Sequence, residues 1–101
     1  MYIKVDHYVI DVLMRDLAGH DRKPSAFIVY LYLWYRTLGS DLRTVRVSHQ
    51  QMAHATGLSK SAVQDSVQWL VRRRLVRAQH ASRTAVPQYT LSRPWRRPGS
   101  P

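Results

Sequence analysis

The stretch that decides the fold runs from residue 48 to residue 76 and reads SHQQMAHATGLSKSAVQDSVQWLVRRRLV. Ser48 is suited to cap a short helix, with Gln51 at the position that completes a capping box. Gly57 supplies the positive φ that a tight turn after this helix requires. Ser59 is suited to cap a second, longer helix. The stretch therefore predicts two helices joined by a tight turn.

The apolar residues of this stretch are spaced so that the two helices can pack on each other. They are Met52, Ala53, Leu58, Val63, Val67 and Leu70. Two short helices joined by a glycine turn follow the helix-turn-helix plan, although any antiparallel helix pair shows part of this pattern. We predict that the second helix spans about residues 59–74.

Short strands are predicted on both sides of the helix pair. Residues 44–47 alternate polar and apolar side chains, which indicates a strand before the helices. After the helices, residues 75–81 and 86–91 each indicate a strand, and the polar residues 82–85 form the tip of a hairpin. Pro87 favours an edge or bulged position in that hairpin. The fold class is therefore predicted to be mainly α with a small antiparallel β-sheet.

Two more helices are predicted in the N-terminal part of the chain. Asp6 is suited to cap a helix over about residues 7–18, whose apolar side chains repeat with a period near 3.6 residues. Residues 26–35, AFIVYLYLWY, are ambiguous, because their β-branched and aromatic content also fits a strand. The proline at position 24, the length of the segment and the glycine at position 39 favour a helix.

This second N-terminal helix is apolar on nearly every side. Such a helix either lies at the centre of its domain or packs against a second subunit, and a small domain has little room to bury a helix completely. We therefore expect a homodimer whose interface is formed by Phe27, Tyr30, Tyr32, Trp34 and Tyr35. A crowded core in a monomer is the alternative.

The charge is unevenly distributed along the chain. The sequence has 16 Lys and Arg residues against 6 acidic residues, a formal net charge of +10. Residues 1–41 hold five basic and five acidic side chains, whereas residues 42–101 hold eleven basic side chains and one acid, Asp65. A basic half of this kind predicts a polyanion as partner.

The sequence contains no pattern typical of an enzyme or a cofactor site. It has no cysteine, and its five histidines are spread along the chain. Only His49 and His54 are close in sequence, and an i, i+5 spacing does not bring them to one helical face. Neither a glycine-rich phosphate loop nor a nucleophile elbow occurs. We therefore expect no enzymatic activity, no cofactor and no metal site.

The hydropathy pattern indicates a soluble protein. The longest apolar run, residues 26–35, is about half as long as a membrane-spanning helix requires. The first residues lack the apolar core of a signal peptide. We expect a cytoplasmic protein without a membrane partner.

Residues 47–91 resemble the winged-helix domains of bacterial transcription regulators and replication-initiation proteins. The likeness is carried by Met52-Ala53, Thr56-Gly57-Leu58-Ser59, Val63, Val67, Leu70, Arg72-Arg73-Arg74-Leu75-Val76 and Tyr89-Thr90-Leu91. The N-terminal helices, residues 1–41, also resemble the front of replication-type domains. Arg74 departs from the pattern, because these families often carry glycine at that position.

This resemblance implies one domain over residues 1–91. Residues 1–41 would form its N-terminal helical part and carry the dimer surface, and residues 44–91 would form the helix-turn-helix and the wing. Residues 92–101 lie outside the resemblance. We expect this basic, proline-rich tail to be disordered. The alternatives are an arm that follows the DNA backbone and a tail whose Trp95 folds back onto the domain.

The resemblance also implies that the helix over residues 59–74 enters the major groove of DNA. The wing, residues 77–90, would meet the DNA backbone or the minor groove. The residues expected to contact bases are Lys60, Ser61, Gln64, Asp65 and Gln68. The residues expected to contact phosphate or the minor groove are Ser48, His49, Thr56, Ser59, Arg72, Arg73, Arg77 and Arg83. By the chemistry of base edges, Gln64 and Gln68 suit adenine and Asp65 suits cytosine.

Together, these expectations describe a bacterial-type transcription regulator. It would bind double-stranded DNA sequence-specifically as a homodimer and would be associated with the nucleoid. Two alternatives stay open. One is a replication-initiation or partition module with the same fold, and the other is a winged helix that binds a protein instead of DNA.

Overall fold

The computed structural model describes residues 1–96. Its N-terminal helix runs over Val9–Leu13 and Arg15–His20 and has the wider π-type turn, in which an N–H donates to the carbonyl five residues earlier. The prediction of a helix over residues 7–18 is therefore right about its place. It is wrong about its type, since an ordinary α-helix was expected.

The ambiguous aromatic segment is a helix, as predicted. Helix α1 spans Pro24–Arg36 and begins with its proline in the first turn, where the missing N–H costs nothing. Its buried residues are Ala26, Phe27, Val29, Tyr30, Leu33 and Trp34. The chain then makes a short 3₁₀ turn, Leu38–Ser40, before the sheet begins.

The helix pair at the centre of the chain has the predicted caps. Helix α2 spans His49–Thr56, and the Ser48 side chain and the Gln51 side chain form a complete capping box at its start. Gly57 ends it with φ 78°, a left-handed conformation that glycine adopts without a Cβ penalty. Helix α3 spans Lys60–Arg72, and the Ser59 hydroxyl oxygen accepts the N–H of Ala62.

Three antiparallel strands complete the fold: β1, Thr44–Arg46; β2, Val76–Gln79; and β3, Gln88–Leu91. Their order in the sheet is β1-β3-β2, so β2 and β3 form a hairpin and β1 pairs with the far side of β3. The central strand carries Tyr89, which is buried opposite Val45 and Ala78. The predicted fold class, mainly α with a small antiparallel sheet, is confirmed, and it is compatible with a winged helix.

Helix α1 occupies the centre of the molecule and contacts the N-terminal helix, α2, α3 and β3. Its residues Phe27, Tyr30 and Trp34 lie in the core of the single chain. The prediction that these three side chains form a dimer surface is therefore wrong, because no partner is needed to bury them. Of the predicted interface, Tyr32 is half-buried and Tyr35 is exposed.

The segment after β3 folds back onto the start of the chain. The Trp95 ring stacks on Tyr8 with centroids 4.5 Å apart, and its Nε1 donates to Asp6 Oδ2 at 3.2 Å. An Arg93 nitrogen lies 3.6 Å from the same carboxylate oxygen. The prediction of a disordered tail is thus wrong for residues 92–96, and residues 97–101 lie outside the described part of the chain.

This contact also corrects the predicted role of Asp6. The N-terminal helix has no side-chain cap, because the Asp6 carboxylate faces the C-terminal segment instead. Within residues 1–96, no helix is both long enough and apolar enough to cross a membrane.

Candidate nucleic-acid interface

The outer face of α3 carries all five residues predicted to contact bases. The inner face is buried through Val63, Ser66, Val67 and Leu70. The exposed residues of α3 are Lys60, Ser61, Gln64, Asp65, Gln68, Val71 and Arg72. The buried side of α3 packs on the core and fixes the orientation of the helix. The opposite side is mostly polar and accessible to solvent.

A groove of about 310 Å³ separates α3 from the β2–β3 hairpin. Gln64, Gln68 and Val71 line it from α3, and His80 lines it from the end of β2. His49, the first residue of α2, closes one end. Two of the predicted base-contacting residues are thus brought together with one predicted phosphate contact, at the junction of α3 and the wing.

Asp65 differs from the other exposed residues of α3 because its carboxylate already has a partner. Lys23 Nζ lies 2.8 Å from Asp65 Oδ2, although the two residues are 42 positions apart in the chain. The same ammonium group lies 5.3 Å from the centre of the Trp69 ring. Asp65 is exposed, as predicted, but the carboxylate expected to read cytosine already contacts Lys23, the residue just before α1.

A buried carboxylate, Asp21, holds the other side of α3. Its side chain is 5% exposed and accepts a hydrogen bond from Trp69 Nε1 at 2.9 Å. Arg73 Nε lies 3.4 Å from the same oxygen, Oδ2. His20 Nδ1 lies 3.1 Å from Oδ1. These contacts tie the end of α3 to the turn between the N-terminal helix and α1.

The protonation of Asp21 reflects two opposing effects. Burial raises the pKa of the Asp21 carboxyl, but the hydrogen bonds from His20 and Trp69, together with the charge of Arg73, outweigh it. The pKa of Asp21 therefore lies below its usual value of 3.8. The group is a carboxylate at neutral pH and remains a partner for Arg73.

Arg73 is exposed, and its predicted contact with phosphate stays a prediction. Its guanidinium group is directed to Asp21, on the side of α3 that faces the N-terminal helices. Arg72 is exposed, and its guanidinium carbon lies 5.7 Å from the centre of the Trp69 ring. Arg77 on β2 and Arg83 at the hairpin tip are exposed. A polyanion can therefore reach exposed basic side chains on both elements, among them Lys60 and Arg72 on α3 and Arg77 and Arg83 on the hairpin.

The three hydroxyl groups predicted to contact phosphate differ in whether their hydrogen is already used in a hydrogen bond. The Ser48 and Ser59 oxygens accept backbone N–H groups as helix caps, which leaves each hydroxyl hydrogen available to a phosphate. The Thr56 hydroxyl donates to the Met52 carbonyl at 2.6 Å. The single hydroxyl hydrogen of Thr56 is therefore used within α2 in this conformation, and its contact with phosphate stays a prediction.

His49 is neutral at physiological pH in this structure. Burial lowers the pKa of its imidazole below the usual 6.5, and the nearby charges of Lys60 and His80 lower it further. It can therefore offer a hydrogen bond to a phosphate but no positive charge. Within residues 1–96, no three His, Cys, Asp or Glu side chains come close enough together to hold a metal ion.

Sequence reasoning missed Asp21, Lys23 and Trp69, which connect α3 to the N-terminal part. Each of these contacts joins residues more than 40 positions apart. No short motif signals them, since the aspartate and the lysine are unremarkable helix-boundary residues in the sequence.

Comparison of the chain with protein-family models, with curated proteins and with solved structures finds no match. The function must therefore be inferred from the interface itself.

Proposed function

We propose that this protein binds double-stranded DNA in a sequence-dependent manner, as a transcription regulator of the bacterial type. Helix α3 would lie in the major groove, with the β2–β3 hairpin on the backbone or in the minor groove. The observation that carries this proposal is the outer face of α3, where Lys60, Gln64 and Gln68 are exposed and the two glutamines line the groove beside the β2–β3 hairpin. Amide and ammonium groups on an exposed helix are the means by which proteins read base edges.

The charge distribution supports the same proposal. Residues 42–101, which hold α2, α3 and the hairpin, carry the whole net charge of +10. Contacts between cations and phosphates dominate the affinity of such proteins for DNA. Binding should accordingly weaken steeply as salt is raised. The proposal includes no catalytic step, and it places the protein in the bacterial cytoplasm on the nucleoid.

We also propose a homodimer, with an interface on the outward side of α1 in place of the buried residues Phe27, Tyr30 and Trp34. The outward side of α1 carries Ile28, Leu31, Tyr32 and Tyr35, at i, i+3, i+4 and i+7. Ile28 is 41% exposed and Tyr35 is 50% exposed. Such a stripe can pack against the same stripe of a second copy. Sedimentation equilibrium should show a dimer that Tyr35→Glu converts to a monomer, and a monomeric wild-type protein would contradict this part.

The experiment that tests the proposal is selection of bound duplexes from a random DNA library at near-physiological salt. An enriched sequence is expected, and an inverted repeat would report the dimer through its half-site spacing. Failure to retain any duplex would contradict the proposal and favour a protein partner. If duplexes are retained but no sequence is enriched, the proposed transcription regulator would be contradicted and a replication-initiation or partition module would be favoured.

Two variants distinguish residues that recognise the base sequence from residues that bind the DNA backbone. Gln64→Ala should relax the preferred sequence by about 1–3 kcal/mol, whereas Arg83→Ala should weaken all duplexes alike. Arg15→Ala, on the N-terminal helix, is the matched arginine control and should leave DNA affinity nearly unchanged. An unchanged preferred sequence in Gln64→Ala would show that α3 is not oriented as proposed.

A further inference from the structure

The groove side of α3 has a specific chemical character. Gln64, Gln68 and Val71 follow one another at i, i+4 and i+7, so they form a single stripe along the helix, and all three line the groove beside the hairpin. Val71 is 41% exposed and is the exposed large hydrophobic residue of α3. The stripe therefore places one exposed apolar side chain in line with two primary amides.

These three side chains match the edges of one kind of base pair. A glutamine amide can donate to N7 and accept from the N6 amino group of adenine, provided that each of its atoms faces the right partner. An aliphatic side chain makes apolar contact with the 5-methyl group of thymine. The stripe extends about 10 Å along the helix, close to the length of three base-pair steps.

Asp65, the acidic residue of α3, lies outside this stripe and is held in that position by Lys23. Asp65 is the side chain of this face that would accept a hydrogen bond from the cytosine amino group. Its Oδ2 accepts a hydrogen bond from Lys23 Nζ at 2.8 Å, and Lys23 also rests over the Trp69 ring. Asp65 follows Gln64 directly, so it is rotated about 100° from it around the helix. The contact therefore directs the carboxylate away from the groove and offsets its charge.

We propose that the groove face of α3 selects A·T base pairs, with Gln64 and Gln68 reading adenine and Val71 contacting the thymine methyl group. Lys23 is a specificity-determining residue that acts through Asp65, by keeping its carboxylate from reading cytosine. This inference rests on the proposed DNA binding and adds the class of sequence that is bound.

Replacement of thymine by deoxyuridine tests the methyl contact, because it removes one methyl group from the DNA and leaves base pairing unchanged. The selected duplex and its deoxyuridine counterpart are titrated with the full chain at one salt concentration. The wild-type protein should bind the deoxyuridine duplex about three- to fivefold more weakly for each methyl group contacted. Val71→Ala should bind the thymine duplex more weakly and should lose most of this difference.

Leu42→Ala removes an exposed apolar side chain outside the groove, and it should keep the full difference between the two duplexes. Equal wild-type affinity for both duplexes, or an enriched site made of G·C pairs, would overturn the inference while leaving DNA binding established. If no duplex is bound at all, the proposed function itself fails. Retention of the full difference by Val71→Ala would also overturn the assignment of Val71.

Lys23→Met tests the second half of the inference, since it keeps the aliphatic chain and removes the ammonium group. The pair is exposed, so its loss should affect stability little, and an unchanged thermal transition would verify this. Library selection with this variant should yield cytosine at one position that the wild-type protein reads differently. Lys23→Met combined with Asp65→Asn should remove that cytosine, and a site identical to that of the wild type in Lys23→Met would overturn the role of Lys23.

Discussion

Arg74 occupies the position just after α3 where a helix often ends in glycine. Its φ of 59° lies in the left-handed region. Its N–H donates to the Val71 carbonyl, and the following N–H, of Leu75, donates to the Leu70 carbonyl. Glycine usually ends a helix in this way, and an L-residue in this conformation costs about 1–2 kcal/mol. The chain therefore makes the turn at α3 with a cation in the place of glycine.

Two substitutions measure that cost. Arg74→Gly should raise the free energy of unfolding by about 0.5–1 kcal/mol, because relief of the left-handed strain is partly offset by the greater freedom of unfolded glycine. Arg74→Val should lower it by about 1 kcal/mol, because a β-branched residue tolerates positive φ poorly. Urea denaturation provides both values. A less stable Arg74→Gly variant would show that the arginine side chain contributes more than its backbone costs.

The half-buried imidazole of His49 predicts a pH dependence of stability. Its folded pKa lies below the usual 6.5, so the unfolded chain binds the proton more readily than the folded one. Its contribution is fully present above pH 6.5 and is lost as pH falls from 6.5 through the folded pKa. His49→Gln should flatten the stability curve in this window. A stability curve of unchanged shape in His49→Gln would contradict this role of His49.

The residues that sequence reasoning identified are those whose role is local. Ser48, Gln51, Gly57 and Ser59 act within four positions of themselves, so their spacing alone predicts what they do. Asp21 reaches Trp69 across 48 positions, and only the packing of α1 on α3 brings the two together. Exposed residues of α3 were therefore predictable from helical spacing, whereas the engagement of Asp65 and Arg73 was not.

At the scale of elements, the start of α3 combines two tasks in one hydroxyl group. Ser59 caps the helix, and its hydrogen is free for a phosphate. Ser59→Asp should keep the unfolding free energy within about 0.5 kcal/mol, since aspartate is an equally good cap. It should weaken DNA binding severalfold by repelling phosphate. Ser59→Ala should instead lower stability by about 1 kcal/mol, and undiminished DNA binding by Ser59→Asp would place the phosphate elsewhere.

The positions of the helices and strands were easier to predict than their exact type and length. The segment over residues 26–35 proved to be a helix because its proline start and glycine stop outweigh its β-forming content. The π-type turn of the N-terminal helix had no signal, since the pattern of apolar residues fixes which side faces the core and not how the hydrogen bonds are spaced. The two hairpin strands, Val76–Gln79 and Gln88–Leu91, are shorter than predicted. The alternation of polar and apolar side chains that predicted them continues beyond the residues that pair.

At the scale of the whole molecule, the C-terminal segment, residues 92–96, packs against the start of the chain, against α1 and against the turn after α3. Besides the stacking of Trp95 on Tyr8, the Tyr30 hydroxyl donates to the Ser92 carbonyl and the Ser92 N–H donates to the Leu75 carbonyl. Residues 92–96 are therefore part of the domain, although the family resemblance ends at residue 91. The proline spacing after residue 91 excludes a helix but does not say where the tail packs. The sequence therefore allowed Trp95 to fold back onto the domain as an alternative, and it gave no sign of Tyr8 and Asp6 as its partners.

The terminal contact can be measured through Trp95. Trp95→Ala should lower the free energy of unfolding by about 1–2 kcal/mol, because it removes a stacked pair and half-buried apolar area. Tyr2→Ala, at a highly exposed position in the N-terminal segment, should have little effect and serves as the control. Equal stabilities of the two variants in denaturant would show that the segments do not hold each other in solution.

The position of Trp69 also provides an optical probe. Its indole ring lies between the carboxylate of Asp21 and the cations of Lys23 and Arg72, on the side of α3 away from the groove. The fluorescence of an indole responds to charges at such distances, and the other two tryptophans, Trp34 and Trp95, lie near the terminal segments. The protein can thus report a shift of α3 through its own emission, without an attached dye and without a label on the surface that faces the ligand.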